Sequence, residues 1–282
     1  MDNNFNTPPQ YDWQNSNLKT FDFGRVFGQS VTGTFHNPKA LLIGLVVVAV
    51  ITIGMSLITV GITNSVMQSE ITEDTLGGIF GVTIGTNVVS LMLAVWFQLI
   101  IVNASYSHIT GNQDSSETAL ARATRQFLPM FVIAIIYSLV CIMGFYALLI
   151  GFVFVWPGWA LAGPVYVFEK AGVFGSLGRA WTLARGNKRW VFLLLLVISV
   201  ISFIIFGAIL GILYVITDTS LFDVDTLDSN TFMSSPGLFI FSILSSIVTY
   251  ILYGWFAAAM TAAYVEIKTL KEGAPTVAEV FA

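Results

Sequence analysis

Long apolar runs alternate with short polar segments along most of the chain, and several exceed the roughly 18 residues typical of a membrane-spanning helix. No run has a charged residue near its middle. The pattern predicts an all-α integral membrane protein that folds as a six-helix bundle. The predicted spans cover residues 39–63, 78–103, 128–148, 150–168, 190–216 and 237–265.

The first eighteen residues differ from the rest, since they are polar and rich in Asn, Gln and Pro. Such a composition cannot bury enough apolar surface to fold. We therefore predict a disordered cytoplasmic tail at 1–18 and a single membrane domain at 19–282.

Residues 128–168 contain no charged side chain, and one helix of this length would be about twice as long as a membrane is thick. A single span would also put Arg122 and Lys170 on opposite sides. We therefore expect a hairpin that turns near residues 144–151. The alternative is a re-entrant pair of helices that does not fully cross the bilayer.

Short amphipathic segments precede three of the predicted hairpins and suggest a threefold repeat of interfacial helix plus transmembrane hairpin. In the first segment, apolar residues between Phe23 and Phe35 lie on one helical face, and Asp22 is placed to cap the helix. Similar faces are predicted near 115–127 and 174–181. A glycine follows each hairpin, at Gly111, Gly172 and Gly273.

Composition and charge fix the predicted orientation. Of the 282 residues, 56% are hydrophobic and only 10% are charged, too few to give a soluble protein of this length a solvated surface. All 12 Lys and Arg residues fall on one side of the six predicted spans. Because basic residues in short loops stay in the cytoplasm during insertion, we expect both the N- and C-termini to be cytoplasmic.

The most distinctive segment is 164–190, where Glu169 and Gly172 end a predicted span. An Arg179-x-Trp181-x-Leu183 helix and a Gly186-Asn187-x-x-Trp190 turn then lead into the next span. This segment resembles a signature of bacterial membrane proteins related to the membrane domain of glycerophosphoryl diester phosphodiesterases. The resemblance implies a multi-pass protein of the bacterial plasma (inner) membrane. Some members carry a soluble phosphodiesterase domain after the membrane part; we expect none here and do not transfer that activity.

Basic side chains at a membrane interface can meet a lipid phosphate or a neighbouring carboxylate. Glu169 is a candidate partner for Arg179 or Arg185, and such a pair would hold a short interfacial helix to the end of the fourth span. We favour this structural role over substrate binding. The residues predicted to contact lipid headgroups or to hold the structure are Arg25, Arg122, Arg125, Glu169, Arg179, Arg185, Lys188 and Arg189.

The sequence offers no complete set of nucleophile, base and metal ligands. His36 and His108 have no acidic or cysteine partner at metal-ligand spacing. The acidic segment 223–230 could gather oxygens around calcium, but it lacks the spacing of a known calcium loop, and an external acidic loop is the simpler account. We therefore expect no enzymatic activity, no cofactor, no bound metal and no nucleic-acid partner.

Pro157, Gly158 and Pro164 predict a break in the fourth span, because proline removes an internal backbone hydrogen bond. Broken helices line sites in some transporters, yet they also kink packed helices. The sequence therefore predicts a non-enzymatic scaffold or regulator of membrane or envelope processes, whose partners are membrane lipids, anionic ones among them. The alternative is a transporter or channel for an apolar or lipid-like solute.

Overall fold

The computed structural model describes residues 20–67, 73–111, 115–146, 150–217 and 236–273, and every regular element in these ranges is an α-helix. The predicted tail at 1–18 and the acidic segment 223–230 lie outside the described residues. In chain order the helices are α1 (Phe23–Phe35), α2 (Pro38–Met67), α3 (Glu73–Thr110), α4 (Ser116–Tyr146), α5 (Ile150–Trp159), α6 (Ala162–Glu169), α7 (Gly172–Ala184), α8 (Lys188–Thr217) and α9 (Pro236–Glu272).

Five helices in the described ranges are long and apolar enough to cross a membrane. The predicted class, an all-helical multi-pass membrane protein, is thus confirmed at this level. The candidate spans are Pro38–Thr59, Phe80–Thr110, Ser116–Met143, Lys188–Ile209 and Ile243–Glu272.

The predicted fourth span, 150–168, is not one helix. It is divided into α5 and α6, which are 10 and 8 residues long and are separated at Ala160 and Leu161. Pro164 explains the position of the break, because it lacks the N–H that would bond to the carbonyl of Ala160. Pro164 itself lies in the first turn of α6, where a missing N–H is tolerated.

The second predicted interfacial helix is not separate from the third span. Both belong to α4, which runs without interruption from Ser116 to Tyr146 and contains Pro129. The predicted start is correct: the Ser115 Oγ accepts a hydrogen bond from the Thr118 N–H at 3.2 Å. This part of the chain therefore departs from the proposed repeat, in which a break follows each amphipathic segment.

The three glycines predicted to follow the hairpins all adopt positive φ angles, which only glycine reaches without a steric cost. Gly111, Gly172 and Gly273 have φ values of 77°, 70° and 89°. Gly111 and Gly273 directly follow α3 and α9, where a left-handed residue ends a helix. A fourth such glycine, Gly186 (φ 91°), lies between α7 and α8.

The chain divides into two compact units: unit 1 consists of 1–41, 99–196 and 254–282, and unit 2 of 42–98 and 197–253. Within unit 1, α4, α5, α6 and α7 pack against one another. The unit 1 part of α9 packs through a series of buried alanines, whose small side chains let neighbouring backbones approach closely. These are Ala257, Ala258, Ala259, Ala262 and Ala263.

Candidate functional site

Helix α1 packs on unit 1 through small residues rather than through its aromatic ones. Ser30, Gly33 and Thr34 are buried, whereas Phe35 is 54% exposed. A Cβ at Gly33 would lie 3.0 Å from the Ser105 Oγ, so glycine lets α1 approach α3 closely. The predicted apolar stripe is therefore split, with its small members facing the protein and Phe35 facing outward.

The start of α1 is held by a buried ion pair with Glu266 of α9. The Arg25 Nε donates a hydrogen bond to the Glu266 Oε2 at 3.0 Å, and the Arg25 Nη2 donates to the Oε1. The Asp22 N–H also donates to the Oε1, at 3.1 Å, while the Asp22 carboxylate caps α1 through the Arg25 N–H. The Glu266 side chain is fully buried, so these donors replace the water that its charge requires.

An aromatic contact also joins α1 to α9. The Trp255 Nε1 donates to the Ser30 Oγ at 2.9 Å, and the Ser30 hydroxyl in turn donates to the Phe27 carbonyl at 2.7 Å. The rings of Phe27 and Trp255 meet edge to face with centroids 5.7 Å apart. The indole therefore fulfils both of its needs here, a hydrogen-bond acceptor and apolar packing.

A second polar cluster joins α6, α7 and α9 around Glu169. The Arg179 Nε donates to the Glu169 Oε2 at 2.8 Å, and the Tyr264 hydroxyl donates to the Oε1 at 3.1 Å. The Lys268 Nζ lies 3.8 Å from the same carboxylate, and the Arg179 Nη2 also bonds to the Glu272 Oε1. The hydrogen bonds to Glu169 first, and then to Glu272, raise the pKa of Arg179 above its ordinary value. This arginine is therefore a structural cation, as the sequence favoured.

The two clusters lie on opposite faces of α9. Tyr264, Lys268 and Glu272 recur every four residues and so share the face toward α6 and α7. Glu266 follows Tyr264 by two residues, which at about 100° per residue turns it roughly 200° away, toward α1. The last turns of α9 are thus bound on both sides.

The break between α5 and α6 is filled by side chains. A Cβ at Gly158 would lie 2.5 Å from ring carbons of Trp181, and one at Gly163 would lie 2.7 Å from the Met130 Cε. Pro157 and Pro164 are buried. Glycine at these two positions therefore allows α7 and α4 to pack directly onto the break.

The remaining predicted contact residues carry their charge at the surface. Arg122, Arg125, Arg185 and Arg189 are exposed, and Lys188 is half-buried. The Lys188 Nζ lies 3.0 Å from the centroid of the Trp181 ring, and the Arg189 guanidinium carbon lies 5.5 Å from that of Trp190. Cations over indole faces are favourable contacts, and they leave the other N–H donors free to face outward.

The structure also includes residues that the sequence reasoning missed, Glu266 above all. The predicted sixth span ended at residue 265, so Glu266 was treated as the start of a cytoplasmic segment. In the structure α9 continues to Glu272, and Glu266 is 0% exposed. An acidic residue at the end of an apolar helix, with a cap-forming Asp22 and Arg25 upstream, was the one available signal.

The two histidines lie together, with ring centroids 4.1 Å apart in a stacked arrangement. His36 follows α1, and His108 lies in the last turn of α3. Across the described ranges, His, Cys, Asp and Glu form no group of three or more that could hold a metal ion.

Comparisons with models of known protein families, with curated proteins and with solved structures find no match for this chain. The resemblance of residues 164–190 to the phosphodiesterase-related membrane proteins therefore stays a prediction. The structural class, a multi-pass helical membrane protein, follows from the helices themselves.

Proposed function

We propose that this chain is a non-enzymatic bacterial inner-membrane protein that contacts anionic lipid from its cytoplasmic face and scaffolds or regulates a membrane or envelope process. The observation that carries the proposal is the distribution of charge. All Lys and Arg residues in the described ranges belong to unit 1, and the ranges of unit 2 contain none. Unit 1 also contains α1 and α7, the two helices that lie between or before the candidate spans.

The proposed topology has six crossings, with both termini in the cytoplasm. Helices α5 and α6 are about 15 Å and 12 Å long at 1.5 Å per residue, so neither crosses alone, but together they approach the roughly 30 Å of a hydrocarbon core. Packing from α4 and α7 supports this arrangement, because a break at membrane depth is tolerated where protein covers it. With this crossing, every basic segment falls on the cytoplasmic side.

Helices α1 and α7 are well suited to lie in the headgroup region. Each is 13 residues long and has an exposed aromatic residue, with Phe35 54% and Phe174 79% exposed. Their charged residues Arg25 and Arg179 are tied to α9 or α6, so the helices are fixed rather than free to leave the surface. Aromatic rings at this level bury shallowly in lipid.

The packing of the α5–α6 break supports a scaffold in preference to a transporter. A transport path there would need a polar or open lining beside Pro157. Instead, Trp181 fills the space at Gly158 and Met130 fills that at Gly163. The break therefore fits a kinked crossing in a packed bundle.

Cysteine labelling tests the topology. In a Cys141→Ala background, Ala121→Cys and Gly178→Cys place exposed thiols beside α4 and α7, and Ser229→Cys marks the predicted external segment. An impermeant maleimide on intact spheroplasts should label only Ser229→Cys, and lysis should expose the other two. Labelling of Ala121→Cys and Gly178→Cys from different sides would overturn the topology.

Native mass spectrometry tests the lipid contact. The full chain, purified from a bacterial membrane, is offered phosphatidylglycerol and phosphatidylcholine with identical acyl chains. We expect preferential retention of phosphatidylglycerol. Equal retention of the two lipids would contradict the proposed function.

A further inference from the structure

The structure divides the candidate lipid-contact cations into two groups. Arg25 and Arg179 are held by carboxylates of Glu266, Glu169 and Glu272, so their donors are already used. The other group lies at the junction of α7 and α8. Within the described chain, no ion pair joins the residues of that group to a carboxylate; they are Arg185, Lys188 and Arg189.

The backbone of this junction is fixed. Helix α7 ends at Ala184, Gly186 reverses the chain at φ 91°, and α8 begins at Lys188. From α9, the Lys271 Nζ donates to the carbonyl oxygens of Thr182 at 3.0 Å and of Arg185 at 2.7 Å. These bonds occupy carbonyls that the end of α7 leaves without helical partners, so the junction is held in place without use of its own basic side chains.

Two indole rings flank the basic side chains. The Lys188 Nζ lies 3.0 Å from the centroid of Trp181, and the Arg189 guanidinium carbon lies 5.5 Å from that of Trp190. Trp190 is fixed in turn by stacking on Phe21, with ring centroids 6.0 Å apart. Indoles prefer the level of the lipid headgroups, where one part of the ring is apolar and the other wet.

The position of the junction indicates its ligand. A candidate span begins at Lys188, so the junction lies where α8 leaves the hydrocarbon core and lipid phosphates are concentrated. The first N–H groups of a helix have no partner within the helix, and the helix dipole favours an anion there. Positive side chains, a helix start and interfacial indoles therefore meet at one place.

We propose that Arg185, Lys188 and Arg189 form a binding site for the phosphodiester headgroup of an anionic glycerophospholipid. The two guanidinium groups present paired N–H donors that match phosphate oxygens, and the Lys188 ammonium adds a point charge. Trp181 and Trp190 contact the glycerol backbone and the first acyl carbons. The site rests on the proposed function, since it needs unit 1 to face an anionic leaflet.

Paired variants of equal charge test the site. Arg185→Gln/Arg189→Gln removes two exposed cations at the junction, and Arg122→Gln/Arg125→Gln removes two exposed cations from α4. Each variant is purified as the full chain and titrated with phosphatidylglycerol by native mass spectrometry. At about 1 kcal/mol per cation, the junction variant should bind roughly 20-fold more weakly, and the α4 variant less than about threefold more weakly.

Further arms separate the outcomes. Arg185→Lys/Arg189→Lys keeps the charge and should recover most of the affinity, which a merely misfolded junction would not allow. Inorganic phosphate at millimolar concentration should not displace the lipid; displacement would mean a site for soluble phosphate and would overturn the assignment to lipid. Equal weakening in the junction and α4 variants would also overturn it. If the wild-type protein shows no preference for phosphatidylglycerol, the proposed function itself fails.

Discussion

The buried pair between Arg25 and Glu266 makes a quantitative prediction about stability. The Glu266 side chain is 0% exposed and the Arg25 side chain is 12% exposed, and two hydrogen bonds join them. If Arg25 is replaced by Met, a buried carboxylate keeps only the Asp22 N–H as a donor. Loss of one partner from such a pair costs about 3–5 kcal/mol of unfolding free energy, because the remaining charge is left without compensation.

The reverse and double variants turn this cost into a coupling energy. Glu266→Met leaves the guanidinium without a partner, but its partial exposure lets water reach it, so the cost should be about 2–3 kcal/mol. The double variant leaves no buried charge and should lose only about 1 kcal/mol, mainly from the unbonded Asp22 N–H. The double loss should therefore be at least about 2 kcal/mol smaller than the sum of the two single losses.

The assay is equilibrium unfolding in mixed micelles of a mild detergent and sodium dodecyl sulfate. Tryptophan fluorescence is a suitable signal, because Trp255 bonds to Ser30 of α1 and Trp190 stacks on Phe21 just before α1. Additive single losses, within about 0.5 kcal/mol, would refute the reasoning. They would mean that water already reaches Glu266 or that the pair does not form.

Two further predictions use the same titration. Gly158→Ala should lower the unfolding free energy by about 1–3 kcal/mol because its Cβ would collide with the Trp181 ring, whereas Gly178→Ala, which meets nothing within 4 Å, should be neutral or stabilising by up to about 1 kcal/mol; equal effects would count against the close packing of the α5–α6 break. Glu169→Gln should cost about 1.5–3 kcal/mol because it weakens the charged hydrogen bonds from Arg179, and an unchanged midpoint would mean that this cluster contributes little to stability.

Features that depend on local pattern could be predicted from the sequence. The periodicity of residues 23–35 and the cap at Asp22 give α1 with correct bounds, because capping and amphipathicity act within a few residues. The apolar runs give the helical membrane class, since only such helices satisfy their own backbone in lipid. The break near Pro157 and Pro164 was also predictable, although its position between the two prolines required the structure.

Features that depend on helix ends or distant contacts could not be predicted in the same way. Helix α4 continues through Pro129 because apolar surroundings on both sides support the helix there, so local proline rules gave the wrong boundary. The partners Arg25 and Glu266 are 241 residues apart in sequence, and only the packing of α1 on α9 brings them together. Glu169 and Arg179 are 10 residues apart, which is why that pair could be suggested from spacing alone.

The binding of α9 on two opposite faces fixes its rotation about its own axis. Any turn of this helix would pull Glu266 away from α1 and, at the same moment, move Tyr264 and Glu272 away from α6 and α7. A single inserted residue between Trp255 and Tyr264 would impose such a turn, by about 100°. The last helix therefore works as a keyed shaft whose angular setting fixes α1 and α7 together.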